Sequence, residues 1–125
     1  MGTVYWGSRC DPARVGELYD VYREAGGNVL DTAHIYAAWK EEGLGASERA
    51  VGHILKARGD RRQVVVITKG GHSAEPFYPR PNKYLSPEVV RRDIQESLER
   101  LAVDTIDLYF LHRDDPRVPV EEIID

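Results

Sequence analysis

At 125 residues and 14.2 kDa the chain has room for one domain and excludes a multidomain machine. A hydrophobic fraction of 42% and a charged fraction of 30% describe an ordinary soluble protein and exclude a disordered or membrane-embedded one. With a net charge of −4 and a pI near 5.6, no basic surface advertises nucleic acid or anionic lipid as a partner.

Thr3-Val4-Tyr5-Trp6 reads as a short first strand, closed by Gly7. Asp11 then caps a helix with Pro12 at its first position, and Val15, Leu18, Tyr19, Tyr22 and Ala25 recur at helical spacing until Gly26-Gly27 ends it. Cys10 is the only cysteine, so no internal disulfide forms. With Arg9 as its one nearby cation, it reads as an inert thiol suited to a reducing cytoplasm. The second strand opens on Val29-Leu30-Asp31; Ser47 caps the next helix, where Val51, Ile54 and Leu55 keep the same period and Gly59 is the stop. The third strand, Val64 to Lys69, is the continuous β-branched run expected where both sheet faces are buried.

A long segment rich in glycine, proline and aromatic residues follows, from Gly70-Gly71-His72 through Phe77 and Tyr78 to Tyr84, and loops of that length are more often functional than idle. Ser86-Pro87-Glu88 starts a helix whose Val90, Ile94, Leu98 and Leu101 form one stripe. A fourth strand runs from Ile106 to Leu111, and Pro119 to Ile124 begins a fourth helix. No linker or second domain interrupts the alternation. Strand and helix repeated in this way argue for a parallel sheet with right-handed crossovers, for which a doubly wound open sheet is the structural competitor.

Other chemistries find no support. Gly43-Leu44-Gly45 does not begin a dinucleotide fingerprint, because Glu48 stands where the third glycine belongs and no strand runs into it. No His, Cys and Asp cluster has metal-ligand spacing, and Gly45-Ala46-Ser47-Glu48-Arg49 lacks the last glycine of a nucleophile elbow. No apolar run approaches the roughly 20 residues of a membrane span, and the N-terminus has neither a basic leader nor a myristoylation pattern, so the expected location is the cytoplasm.

Four polar residues stand at or just beyond strand ends: Asp31 and Tyr36 after the second strand, Lys69 after the third, His112 after the fourth. Residues at the C-terminal ends of parallel strands point into the mouth where α/β barrels keep their chemistry. Singly, each has a plainer reading. Asp31 caps a turn, Tyr36 is a core aromatic with a wet hydroxyl, Lys69 reaches solvent, and His112 is a satisfied core histidine. His34 and His72 read as loop residues hydrogen-bonded locally.

In chain order the motifs resemble the aldo-keto reductase family. Gly26-Gly27-Asn28-Val29-Leu30-Asp31-Thr32-Ala33 with Tyr36 looks like its strand-two signature. Gly45-Ala46-Ser47-Glu48 with Gly52 looks like the helix start that follows, and Thr68-Lys69 and Leu111-His112-Arg113-Asp114-Asp115-Pro116 complete the set. The resemblance implies NADPH-dependent reduction of an aldehyde or ketone by a catalytic tetrad of Asp31, Tyr36, Lys69 and His112. Tyr36 would donate the proton; a phenol, with an ordinary pKa of about 10, needs a cation beside it for that task, and Lys69 would be that cation. Asp31 would hold the ammonium, and His112 would orient the carbonyl. By the same resemblance Gly2, Thr3 and Asp31 would touch the nicotinamide half of the cofactor, NADP, while Trp6, Tyr36 and His112 would meet the substrate. Trp6, Trp39, Phe77, Tyr78 and Tyr84 are candidates for an apolar substrate mouth, with plain packing the alternative for both tryptophans.

The family's members are full eight-stranded barrels of about 250 residues. Residues 1–125 therefore read as the N-terminal half of a TIM-type parallel (β/α) barrel, about four βα units, ending in the fourth helix. The inward faces of Val4, Leu30, Val66 and Leu108, or of their neighbours, are then expected to meet water, and such a chain is expected to self-associate. The competing function is a non-catalytic interaction module on the same fold.

Overall fold

The computed structural model describes residues 1–124. Helices α1 (Pro12–Glu24), α2 (Ala46–Arg58), α3 (Pro87–Leu101) and α4 (Val120–Ile124) alternate with strands β1 (Val29–Asp31), β2 (Val65–Gly70) and β3 (Leu108–Leu111). All three strands are parallel in the order β1-β2-β3, with Val29 opposite Val65 and Ile67 opposite Leu108. The expected parallel α/β architecture is present.

The first expected strand is not. Residues 1–3 lie beside β1, where Thr3 N donates to the Asp31 carbonyl at 2.9 Å and Asp31 N to the Met1 carbonyl at 2.8 Å, but the pairing is one isolated bridge at Gly2. From Val4 the chain turns: the Tyr5 carbonyl accepts from the N–H groups of Arg9 and Cys10, both at 3.0 Å. Gly7 makes the reversal possible. Its φ is +73°, and a Cβ there would stand 2.7 Å from the Ala46 carbonyl oxygen. Of the apolar run Val4-Tyr5-Trp6 only Trp6 is buried, with Val4 half-buried and Tyr5 45% exposed, and the run forms no strand.

Helix α1 forms for local reasons. Asp11 Oδ1 accepts from Arg14 N at 2.8 Å, and Pro12 sits in the first turn, where a missing N–H is harmless. Helix α2 buries Val51, Ile54 and Leu55 and stops at Gly59, whose φ is 67°. Its N-cap is Gly45, not Ser47. Ser47 is fully buried inside the first turn, donating to the Thr3 carbonyl at 2.7 Å and lying 3.0 Å from the hydroxyls of Thr3 and Thr32. A cap hydroxyl must face its own helix's free N–H groups; this one ties the helix to the sheet beneath it. Gly52 presses against the Leu101 carbonyl of α3, leaving no space for a Cβ, so the two helices back closely onto one another.

The core lies between helices and sheet, centred on Trp6, Tyr19, Leu30, Val51, Leu55 and Val66. Only one face of β2 is covered. Val66, Thr68 and Gly70 are buried, whereas Val65 is 37% exposed and its neighbours on that face, Ile67 and Lys69, are half-buried. Leu108 and Phe110, in register with Ile67 and Lys69, are 45% and 47% exposed. Burial on both faces is therefore corrected, as is the inward placement of Leu30 and Val66, which sit at 0% under the helices. The open face is made by their neighbours.

Helix α3 also departs from its expected stripe. Val90 and Leu101 are buried as expected, but Ile94 and Leu98 are only half-buried, and Asp93 and Ser97 are fully buried. A charged residue on the inner face is tolerable when paired, and Asp93 takes Arg80 on both oxygens at 2.7 and 2.6 Å.

Candidate active site

Hydrogen bonds that extend the sheet past its strands bring the four polar side chains together. Thr32 N donates to the Ile67 carbonyl and His34 N to the Lys69 carbonyl, both at 2.9 Å, so the chain after β1 stays beside β2 before it turns. Tyr36 N then closes on the Ala33 carbonyl at 3.0 Å, and Ala37 takes a φ of 69°, so the chain turns just past the strand ends with Tyr36 in the turn. On the other side His112 N donates to the Gly70 carbonyl at 2.7 Å, continuing the β2–β3 ladder by one residue.

Lys69 is the hub. Its Nζ donates to Asp31 Oδ1 at 2.6 Å, to the Thr32 carbonyl at 2.8 Å and to the Tyr36 hydroxyl at 3.3 Å, and lies 4.9 Å from the centre of the Tyr36 ring. Across that phenol stands the His112 ring, edge to face, with centroids 5.8 Å apart. Burial first, then His72, Lys69 and Arg113 beside it, push the His112 imidazole down to about 4, against the opposing pull of Asp31. Its Nδ1 is buried without a partner. Near neutral pH this ring is uncharged, and Nε2 is the nitrogen left to meet a ligand.

Other expected site residues lie elsewhere. Trp6 is 3% exposed and packed in the core with Val15 and Tyr19, as its plain-packing alternative has it. Thr3 is fully buried, its hydroxyl occupied by the Asp31 carbonyl and Ser47. Gly2 is exposed with open space beside it, and the Asp31 side chain is 35% exposed. Trp39 and Phe77 are exposed, Tyr84 is half-buried, and Tyr78 is buried away from the mouth.

Two histidines play larger parts than a local reading gave them. His72 is buried with its ring 4.8 Å from that of His112. His34 is buried too, Nε2 donating to Glu96 Oε2 at 2.8 Å and Nδ1 accepting from the Tyr78 hydroxyl at 2.7 Å. Burial and the Arg100 cation hold His34 below the usual imidazole range, which fits this neutral tautomer. The same layer pairs Glu48 with Thr68 Oγ1 at 2.7 Å and with Arg100 at 3.3 Å, so the Gly45-Ala46-Ser47-Glu48 signature fastens α2 to sheet and α3. Partners 20 and 52 residues away leave no local signal in sequence.

No group of His, Cys, Asp and Glu among the described residues is arranged to hold a metal ion, and none of the described helices is long and apolar enough to cross a membrane. A cleft of about 600 Å³ between α1 and α2, bordered by Cys10 and His53, includes none of the four residues around Lys69.

The sequence model of the aldo/keto reductase family matches residues 1–125. The chain belongs to that family. It is 38% identical over 105 residues to the 6-dehydroglucose reductase of Novosphingobium aromaticivorans, covering 83% of this chain and 33% of that protein. With the aldo-keto reductase yakc [NADP(+)] of Schizosaccharomyces pombe it shares 33% identity over 82 residues, 66% of this chain and 24% of the relative. The holo structure of an aldo-keto reductase from Bacillus halodurans superposes with a TM-score of 0.78 at 30% identity, covering 99% of this chain and 38% of that one. The chain thus spans about a third or less of the length of these curated reductases.

Proposed function

We propose that residues 1–125 form the first part of a TIM-type (β/α) barrel, ending in its fourth helix, and carry the proton-donating side of an NADPH-dependent carbonyl reductase site. The observation that carries the reading is Lys69 Nζ, within hydrogen-bond reach of both the Asp31 carboxylate and the Tyr36 hydroxyl. Reducing a carbonyl takes a hydride at carbon and a proton at oxygen. The nicotinamide supplies the hydride when bound; Gly2 and Asp31, open to solvent, are the residues that would hold its nicotinamide end, and the NADP(+) in one relative's name favours the phosphorylated form.

The chain's own residues supply the rest. Tyr36 gives its hydroxyl proton to the carbonyl oxygen, and the Lys69 ammonium stabilises the phenolate left behind. Asp31 fixes that ammonium and offsets its charge. His112, uncharged, donates from Nε2 to the carbonyl and lines it up with Tyr36. The work is that of a cytoplasmic enzyme on a small-molecule carbonyl compound. Loss of NADPH absorbance on adding a panel of aldehydes and ketones tests the reading, with the chain alone and within any longer reading frame that contains it. Turnover is expected in the complete protein; NADPH left unconsumed by every carbonyl there would overturn it.

The open sheet face leads to a second expectation. Val65, Leu108 and Phe110 expose apolar surface on that face, beside the free edge of β3, and such surfaces associate. As a 125-residue protein the chain is expected to dimerise through this face, a two-fold pair being the commonest closed arrangement. Light scattering at low micromolar concentration checks this, and a monomer that unfolds cooperatively would contradict it.

A further inference from the structure

We propose that His72 is a positioning residue for the reductase site: it stands as a wall against the His112 ring and fixes that ring with Nε2 toward the open face. The inference rests on the carbonyl-reductase reading for its catalytic consequence, and on geometry alone for the placement of His112. His72 is itself held at both ring nitrogens. Nδ1 donates to the Ser73 carbonyl at 2.9 Å, and Nε2 accepts from Arg113 Nε at 3.3 Å. A ring tied at two opposite points cannot flip without losing both bonds. Tyr78 backs it on another side, edge to face at 6.2 Å.

The His112 ring is enclosed by two rings set nearly at right angles to it, His72 at 86° and Tyr36 at 81°. Its own Nδ1 meets no partner, so no hydrogen bond from that side sets its orientation. Packing has to do so instead. Charged and titratable groups face it from each neighbouring element: Lys69 from β2, Asp31 from β1, Tyr36 from the turn after β1, His72 from the loop after β2, and Arg113 beside it in the chain. Burial first, and then the cations among them, disfavour a positive charge on this ring, which keeps His112 as a neutral donor.

His72→Ala and His72→Phe in the complete protein test this, read by carbonyl kinetics and by imidazole NMR of His112. In the parent, His112 is expected to show one ring orientation, with fixed nuclear Overhauser contacts to Tyr36, and to resist protonation until the pH nears 4. His72→Ala should let the ring take a second orientation and, by admitting water, move the titration up toward the ordinary value of about 6.5. It should also lower kcat/KM on the order of 10- to 100-fold, the cost of a misplaced orienting group, with NADPH affinity unchanged. His72→Phe keeps the wall and should restore most of the rate, which a general loss of fold would not allow. Unchanged His112 orientation, titration and kcat/KM in both variants would overturn the proposal. A parent protein that reduces no carbonyl, while His72→Ala still moves the His112 resonances, counts against the reductase reading and for the placement of His112.

Discussion

Tyr36→Phe is expected to lower the rate of carbonyl reduction by about 10²- to 10⁴-fold, the usual range for losing a general acid. The substitution removes one oxygen and little else. The remaining ring keeps its place between Lys69, 4.9 Å from its centre, and His112, 5.8 Å away. Lys69 loses one acceptor at 3.3 Å but keeps Asp31 and the Thr32 carbonyl, so its ammonium stays fixed. NADPH affinity, measured by fluorescence titration, should therefore change little while steady-state turnover collapses. An undiminished rate with phenylalanine at position 36 would take Tyr36 out of the mechanism and leave the proton to come from water.

What the sequence could convey about this site divides by the range of the interactions. Tyr36 is legible through the resemblance of residues 26–36 to the family's strand-two signature, and Asp31, Lys69 and His112 because a polar residue ending an apolar strand is a local pattern. Helix α1 is legible for the same reason, its cap and first-turn proline lying within four residues of each other. The turn at Val4-Tyr5-Trp6 is not legible, since these residues have strand-like composition while the turn depends on how closely Gly7 approaches Ala46 in another element. His72 carries no signal of its own. Its role depends on Arg113 and His112, some 40 residues on, meeting it across the β2–β3 ladder. The α3 stripe failed because hydrophobic periodicity cannot register a buried aspartate whose partner, Arg80, comes from the preceding loop.

That aspartate carries the largest stability effect. Asp93 is fully buried, accepts Arg80 on both oxygens and takes the Gly71 N–H at 2.9 Å, while the Arg80 side chain is 4% exposed with a buried Nε that has no partner. Removing one member of such a pair leaves an uncompensated charge in a low-dielectric interior, so Asp93→Ala is expected to destabilise by about 3–5 kcal/mol. Replacing both members, as in Asp93→Ala with Arg80→Met, leaves no buried charge behind and should recover much of that loss. Urea unfolding of the two variants against the parent separates a desolvation effect from plain loss of packing, since the double variant removes more native atoms yet should be the more stable. The consequence reaches the site: Asp93 pins both Gly71 and Arg80, and His72 stands between them on the loop. Releasing that loop should disturb the His112 resonances much as His72→Ala does. A single variant as stable as the parent would mean that water reaches Arg80 and that the loop is held by Tyr78 and His34 instead.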